Sequence, residues 1–131
     1  MTGVVSRYRI IRSLGSGGTA EVFEAVLNGD QAFERRVALK RPLSADDLDP
    51  SDMRAFVDEA RIASALHHAN IASVLDFGME EDRPFLICEL VDGLDLASAV
   101  VRGGGQIPLA VALHVVTEVA HALAYAHGAQ D

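Results

Sequence analysis

Lysine is nearly missing from this chain. Ten of its eleven basic residues are arginine, and the exception is Lys40. Tryptophan is absent and aromatics make up 5% of the 131 residues, so aliphatic side chains must fill the core. A single cysteine, Cys88, excludes an intrachain disulfide and a cysteine metal cage, and points to a reducing compartment. The segment from Met1 to Arg7 lacks the apolar run of a signal peptide. Roughly 18 uninterrupted apolar residues are expected of a membrane span. The longest apolar region, Pro108 to His127, is broken by His114, Thr117, Glu118 and His121. The compartment expected from these absences is the cytoplasm.

Half of the residues are hydrophobic, enough for one core at the small end of ordinary domains. Net charge is −8 and unevenly spread. Through Arg41 there are seven basic and four acidic residues; the remaining ninety carry four and fifteen. That balance argues against nonspecific nucleic-acid binding, which needs a basic face. It leaves the positive excess around Lys40 and the glycine-rich stretch upstream of it.

Tyr8 to Leu14 reads as a strand with Tyr8, Ile10 and Leu14 on one face. A glycine-rich loop follows, then strands from about Glu21 to Leu27 and Arg35 to Arg41, joined by the turn signal Asn28-Gly29-Asp30. Ser44 to Asp49 is acidic and loop-like. Asp49 before Pro50 starts a helix that the pattern carries to Leu66. Two further strands, Ile71 to Phe77 and Pro84 to Leu90, flank the turn Gly78 to Arg83. A short helix after Gly93 reaches Arg102, Gly103-Gly104-Gly105 breaks it, and a long helix runs from Pro108 to about His127. The order predicts an α+β fold: a five-stranded antiparallel sheet with one packed helix, then two helices of an incomplete helical lobe. The domain expectation is 8–93 for the sheet unit and 94–131 for the helical part.

Gly15-Ser16-Gly17-Gly18-Thr19-Ala20 lies between two antiparallel strands. The Walker pattern and a following helix, which phosphate loops of the strand-to-helix type require, are missing. In a hairpin, such glycines let the turn fold over a ligand with backbone N–H groups near phosphate. Ala38 and Lys40 are two apart in a strand and share a face. Ala38 is small enough to admit a flat ligand, and Val22 offers a facing apolar contact. An ammonium is a compact charge on a flexible stem, suited to reaching phosphate oxygens. Phe56, Glu59, Ala63 and Leu66 recur at helical spacing. A carboxylate on that apolar stripe needs a partner, and Lys40 is the lysine available. The histidine pairs are weaker candidates. His67 and His68 are adjacent, and His114 and His121 are seven apart, so packing or exposure explains them better than a metal. Cys88 reads as a small core residue rather than a nucleophile.

Together these residues resemble the N-terminal lobe of a protein kinase, of the bacterial serine/threonine type. Gly15 to Val22 is similar to the phosphate-covering loop. Val37-Ala38-Leu39-Lys40 is similar to the strand with the phosphate-contacting lysine, and Glu59 to its glutamate partner. His68-Ala69-Asn70-Ile71 resembles the turn after that helix. Phe85 to Gly93 resembles the last strand and hinge, and Ala122 to His127 the end of the long helix. The resemblance covers about residues 8 to 127.

It implies an ATP site in which Leu14, Gly15, Ser16, Gly17 and Gly18 cover the nucleotide and Val22 and Ala38 sandwich adenine. Lys40 would contact the α- and β-phosphates, held by Glu59. Cys88 would be the gatekeeper, and the Glu89 carbonyl and Val91 amide would bond adenine. Ala20 stands where a third glycine is usual, which stiffens the loop, and Ala69 replaces a proline. The His-Arg-Asp catalytic loop, its asparagine and Asp-Phe-Gly do not occur before Asp131. The expectation is therefore a truncated kinase, family-typical in its use of ATP, magnesium and a protein substrate, but inactive alone. Its magnesium ligands would lie elsewhere, and its long helix would be left exposed and prone to self-association. The alternatives are a short pseudokinase-like regulator that binds nucleotide or a partner, and an interaction module that no longer binds nucleotide.

Overall fold

The structure, a computed structural model, describes residues 3–5, 7–43 and 49–129. Most of the acidic loop expected at Ser44 to Asp49 lies outside the described residues. The described chain divides into two compact units, Met1–Ala65 with Ala72–Leu90, and Leu66–Ile71 with Val91–Asp131.

The first unit holds a six-stranded antiparallel sheet: β1 (Gly3–Val5), β2 (Tyr8–Gly17), β3 (Ala20–Asn28), β4 (Glu34–Pro42), β5 (Val74–Glu80) and β6 (Arg83–Glu89). The strand order is β1-β2-β3-β4-β6-β5. The expectation of five strands is corrected to six. β1 is only three residues long, too short for a period-2 pattern to show, and is fixed by pairing Val5 with Tyr8. Helix α1 (Pro50–Ser64) starts as expected, with the Asp49 carboxylate accepting from the Ser51 and Asp52 amides and proline in the first turn.

The sheet builds two cores, one on each face. On one face Ile10, Phe23, Ala25, Val37, Leu39 and Ile87 pack together with Val5, Tyr8 and Phe85. The Tyr8 ring meets Phe85 edge-on at 6.2 Å, and its hydroxyl donates to Asp76 at 2.8 Å. Tyr8 belongs to β2 and Asp76 to the edge strand β5 at the other end of the strand order, so this bond requires the sheet to curl. On the other face, Phe56 and Ala60 of α1 pack on Leu86, with Val74 and Cys88 at the margin. The buried stripe of α1 is thus Phe56 and Ala60, not the expected Phe56, Glu59, Ala63 and Leu66. Glu59 lies exposed beside the stripe, and α1 ends at Ser64, before Leu66.

The second unit contains α2 (Leu96–Arg102) and α3 (Leu109–Gly128). Asp95 caps α2 by accepting from the Ser98 amide at 2.7 Å. The segment His67 to Asn70 is tied to α3. The His67 amide donates to the Tyr125 hydroxyl at 2.9 Å, and the Asn70 side-chain amide donates to Glu118 Oε2 at 2.7 Å. Ala122 is the buried residue of α3, while Leu109, Leu113, Val116 and Leu123 are exposed. With a mean hydropathy of 1.5, α3 is long and apolar enough to cross a bilayer by length and composition alone. His114, Thr117, Glu118 and His121 interrupt its apolar run.

Candidate functional site

The glycine-rich stretch is the β2–β3 hairpin. Gly17 pairs with Ala20, leaving Gly18 and Thr19 as a two-residue turn. Gly18 has φ 58°, the left-handed value that the first central position of such a turn demands. Gly15, at φ 150°, sits at the second of two register shifts in β2. The first shift, between Ile10 and Arg12, precedes Leu14 and re-aims the side chains after it, as an extra residue in one strand does. Leu14, expected on the core face with Tyr8 and Ile10, is 40% exposed and lines the cleft instead. Ala20 pairs with both Gly17 and Pro42 inside β3, without a positive φ, so its strand backbone does not call for glycine.

β4 sends Val37 and Leu39 into the core and leaves Ala38 and Lys40 on its other face. Lys40 lies opposite Val22 of β3, and Ala38 opposite Cys88 of β6. Directly opposite residues of antiparallel strands share a face, so Val22, Ala38, Lys40 and Cys88 form one surface. Across it, Lys40 Nζ stands 3.0 Å from Glu59 Oε1 and 6.0 Å from the centre of the Phe56 ring. The helix cap at Asp49 and the anchoring of Phe56 on Leu86 set where Glu59 comes down.

A cavity of about 510 Å3 opens between the hairpin and α1. Leu14, Gly15, Ser16, Gly17 and Gly18 form one wall, continued by Val22; Lys40 and Glu59 stand in it. Asp52 also lines it, from the first turn of α1. Sequence reasoning passed over Asp52, although it sits seven residues before Glu59 and so on the same helix face. Ala38, Cys88, Glu89 and Val91 are outside this lining. The Glu89 amide donates to the Ser73 carbonyl at 2.8 Å, and its carboxylate accepts from the Ser73 amide at 3.1 Å. Val91 is highly exposed and belongs to the second unit. Cys88 is a free thiol, half-buried rather than fully in the core. Burial pushes its pKa up, and the nearby Lys40 charge opposes that.

The cavity combines the Lys40 ammonium, the Glu59 and Asp52 carboxylates, a glycine-rich wall and apolar side chains from Leu14, Val22 and Phe56. That combination suits a flat ring carrying an anionic tail. Elsewhere, His68 Nδ1 accepts from the Asn70 amide at 3.0 Å, a turn contact. His114 lines a separate apolar cavity of about 410 Å3 along α3. Among the described residues no three His, Cys, Asp or Glu side chains are grouped as metal ligands.

Residues 8–130 match the family of protein tyrosine and serine/threonine kinases. The chain is 36% identical over 123 residues to the tyrosine-protein kinase MasK of Myxococcus xanthus, covering 92% of this chain and 19% of that protein. It is 38% identical over 128 residues to the serine/threonine-protein kinase PknA of Mycobacterium tuberculosis, covering 94% and 29%. Among solved structures it resembles the PknI kinase domain of Mycobacterium tuberculosis, with a TM-score of 0.75 and 29% identity, covering 96% of this chain and 50% of that one. The chain thus spans less than a third of these curated relatives and about half of a solved kinase domain.

Proposed function

This chain belongs to the protein tyrosine and serine/threonine kinase family, and from that premise we propose that its cleft binds ATP. The observation that carries the reading is the Lys40–Glu59 pair, 3.0 Å apart in a cavity walled by the glycine-rich hairpin. Glu59 holds the ammonium where it can reach the α- and β-phosphates. Amides of Gly15 to Gly18 cover the phosphates. Val22 and Ala38 enclose adenine, Cys88 stands at the back of the adenine pocket, and the Glu89 carbonyl and Val91 amide bond its edge.

The protein of which these residues are part then transfers the γ-phosphoryl group of ATP to a protein hydroxyl, on serine or threonine, in the cytoplasm. Charge neutralisation by magnesium is part of such transfer. The described residues offer no grouped ligands for that ion. Residues 1–131 contain no His-Arg-Asp or Asp-Phe-Gly, so the stretch by itself is expected to bind nucleotide without transferring phosphate. The second reading, a pseudokinase-like binding module, keeps the same cleft and differs in making no transfer.

Titration of the chain with Mg-ATP by calorimetry tests the cleft. Saturable binding that Lys40→Met abolishes is the expected result. Binding that is absent, or unaffected by Lys40→Met, overturns it.

A further inference from the structure

The glycine-rich hairpin is held from behind by a residue that the nucleotide reading does not use. Arg83, the first residue of β6, projects its guanidinium onto the end of β4. Its Nε donates to the Pro42 carbonyl at 3.0 Å, and its Nη2 donates to the Pro42 and Leu43 carbonyls and to Glu21 Oε1 at 3.3 Å. The amide of Leu43 in turn donates to the carbonyl of Thr19, at the tip of the hairpin, at 3.0 Å. Glu21, two residues past that tip, is also faced by Arg41 Nε at 3.6 Å. Arg41 stacks over the Phe23 ring at 5.0 Å. A single planar fork therefore links the strand after the loop, the strand that carries Lys40, and β6. All three acidic and basic side chains are at least three-quarters buried.

A fork of rigidly spaced donors suits this set of acceptors, and an ammonium does not. A two-residue hairpin tip rich in glycine is floppy by itself. Here its trailing arm is attached through Leu43 and Glu21 to a guanidinium fixed in the sheet. We propose that Arg83 is a positioning residue for the glycine-rich hairpin, setting the height of the loop over Lys40 and with it the grip on phosphate. This rests on the nucleotide reading for its functional consequence but not for its structural one.

Amide hydrogen exchange of the chain without nucleotide gives the structural readout, with Arg83→Ala, Arg83→Lys and the exposed helix control Arg61→Ala. Arg83→Ala should speed exchange in residues 14–21 about ten-fold through local opening of the hairpin, with α1 and residues 8–11 unchanged. Arg83→Lys keeps the charge near Glu21 but not the fork, so it should fall between Arg83→Ala and wild type. Unchanged hairpin exchange in Arg83→Ala, a uniform rise across the sheet, or full rescue by lysine overturns the proposal. Titrations with ATP and adenosine give the functional readout. Arg83→Ala should weaken ATP several-fold and leave adenosine unchanged; equal weakening of both overturns the phosphate-grip claim. If wild type binds neither ligand, the nucleotide reading fails, and the exchange pattern still decides the role of Arg83.

Discussion

Lys40 and Glu59 meet at 3.0 Å, yet they are unequally sheltered: the lysine side chain is 31% exposed and the glutamate 67%. A pair this wet contributes about 0–1 kcal/mol to stability. Its geometry is therefore more informative about ligand placement than about folding. Lys40→Met is expected to leave the melting temperature of the free chain nearly unchanged. Ligand at about 100-fold over its dissociation constant stabilises by about 2.7 kcal/mol, and the variant should lose that ATP-dependent shift. Thermal melts with and without Mg-ATP check this. Equal shifts in wild type and variant would remove Lys40 from the phosphate site.

Cys88 leads to a prediction about pocket size. It lies opposite Ala38 on the cleft face of the sheet and is flanked by Leu86 and Val74 of the helix-side core. A thiol here leaves space that a larger residue would fill. An adenine analogue with a bulky N6 substituent should bind wild type at least as tightly as Cys88→Phe. Tighter binding to the phenylalanine variant, measured by competition with ATP, would displace Cys88 from the back of the pocket.

Much of this architecture is legible in the sequence. The hairpin glycines, the Asp49-Pro50 helix start and the alternation of Val37 and Leu39 with Ala38 and Lys40 are local signals, and the elements formed around them. What was missed depends on partners distant in sequence. β1 exists because Val5 finds Tyr8. Leu14 turns toward the cleft because the register shift between Ile10 and Arg12 re-phases β2 before it, and no residue type announces such a shift. The curl joining Tyr8 to Asp76 spans 68 residues. Arg83 looks like any arginine after an acidic turn until the end of β4 comes to lie beside it.

Glu24 carries a prediction about acid stability. It is buried at 6% exposure, accepts from Arg36 Nη2 at 2.6 Å, and lies 3.6 Å from Arg12 Nε. The Arg36 hydrogen bond holds its pKa below the usual carboxylate value, with burial opposing and both arginine charges assisting. The unfolded chain therefore takes up this proton first as pH drops. The contribution of Glu24 is fully present above the unfolded carboxylate pKa of about 4.3 and fades as pH falls through the folded value. Glu24→Gln should cost about 1 kcal/mol at neutral pH, below the roughly 1.5–3 kcal/mol of charged hydrogen bonds because Arg36 is half exposed. It should also flatten the acid limb of the stability curve. Urea melts from pH 7 to 3 check it; an acid limb parallel to wild type would contradict the assignment.

The β5–β6 hairpin offers a stabilising change. Glu80 pairs with Arg83, so Glu81 and Asp82 form a two-residue turn with φ 50° and 62°. Both values are left-handed, the pattern that favours Asn-Gly. Left-handed backbone costs most non-glycine residues about 1–2 kcal/mol, with Asp tolerating it better. Replacing Glu81-Asp82 by Asn-Gly should raise stability by about 1 kcal/mol, visible as a higher urea midpoint with unchanged slope. A lower midpoint would mean that Glu81 or Asp82 makes a contact worth more than the strain.

The last prediction concerns α3. One stripe of this helix, Leu109, Leu113, Val116 and Leu123, is between 51% and 74% exposed. Its other side is where Glu118 and Tyr125 meet the His67 to Asn70 segment. The apolar stripe has no polar groups to keep it in water, and contiguous apolar patches above a few hundred Å2 drive association. The 131-residue chain is therefore expected to self-associate in dilute buffer, with a mass by light scattering above 14.0 kDa that rises with concentration. Leu113→Glu with Val116→Lys should return it toward the monomer, since both sites are exposed and the changes leave the buried side of α3 untouched. The same preparations, incubated with labelled Mg-ATP and a generic protein substrate, should transfer no phosphate. A wild-type chain that is monodisperse at 14.0 kDa would refute the patch argument. Phosphotransfer that Lys40→Met abolishes would show that residues 1–131 suffice for chemistry without the His-Arg-Asp loop.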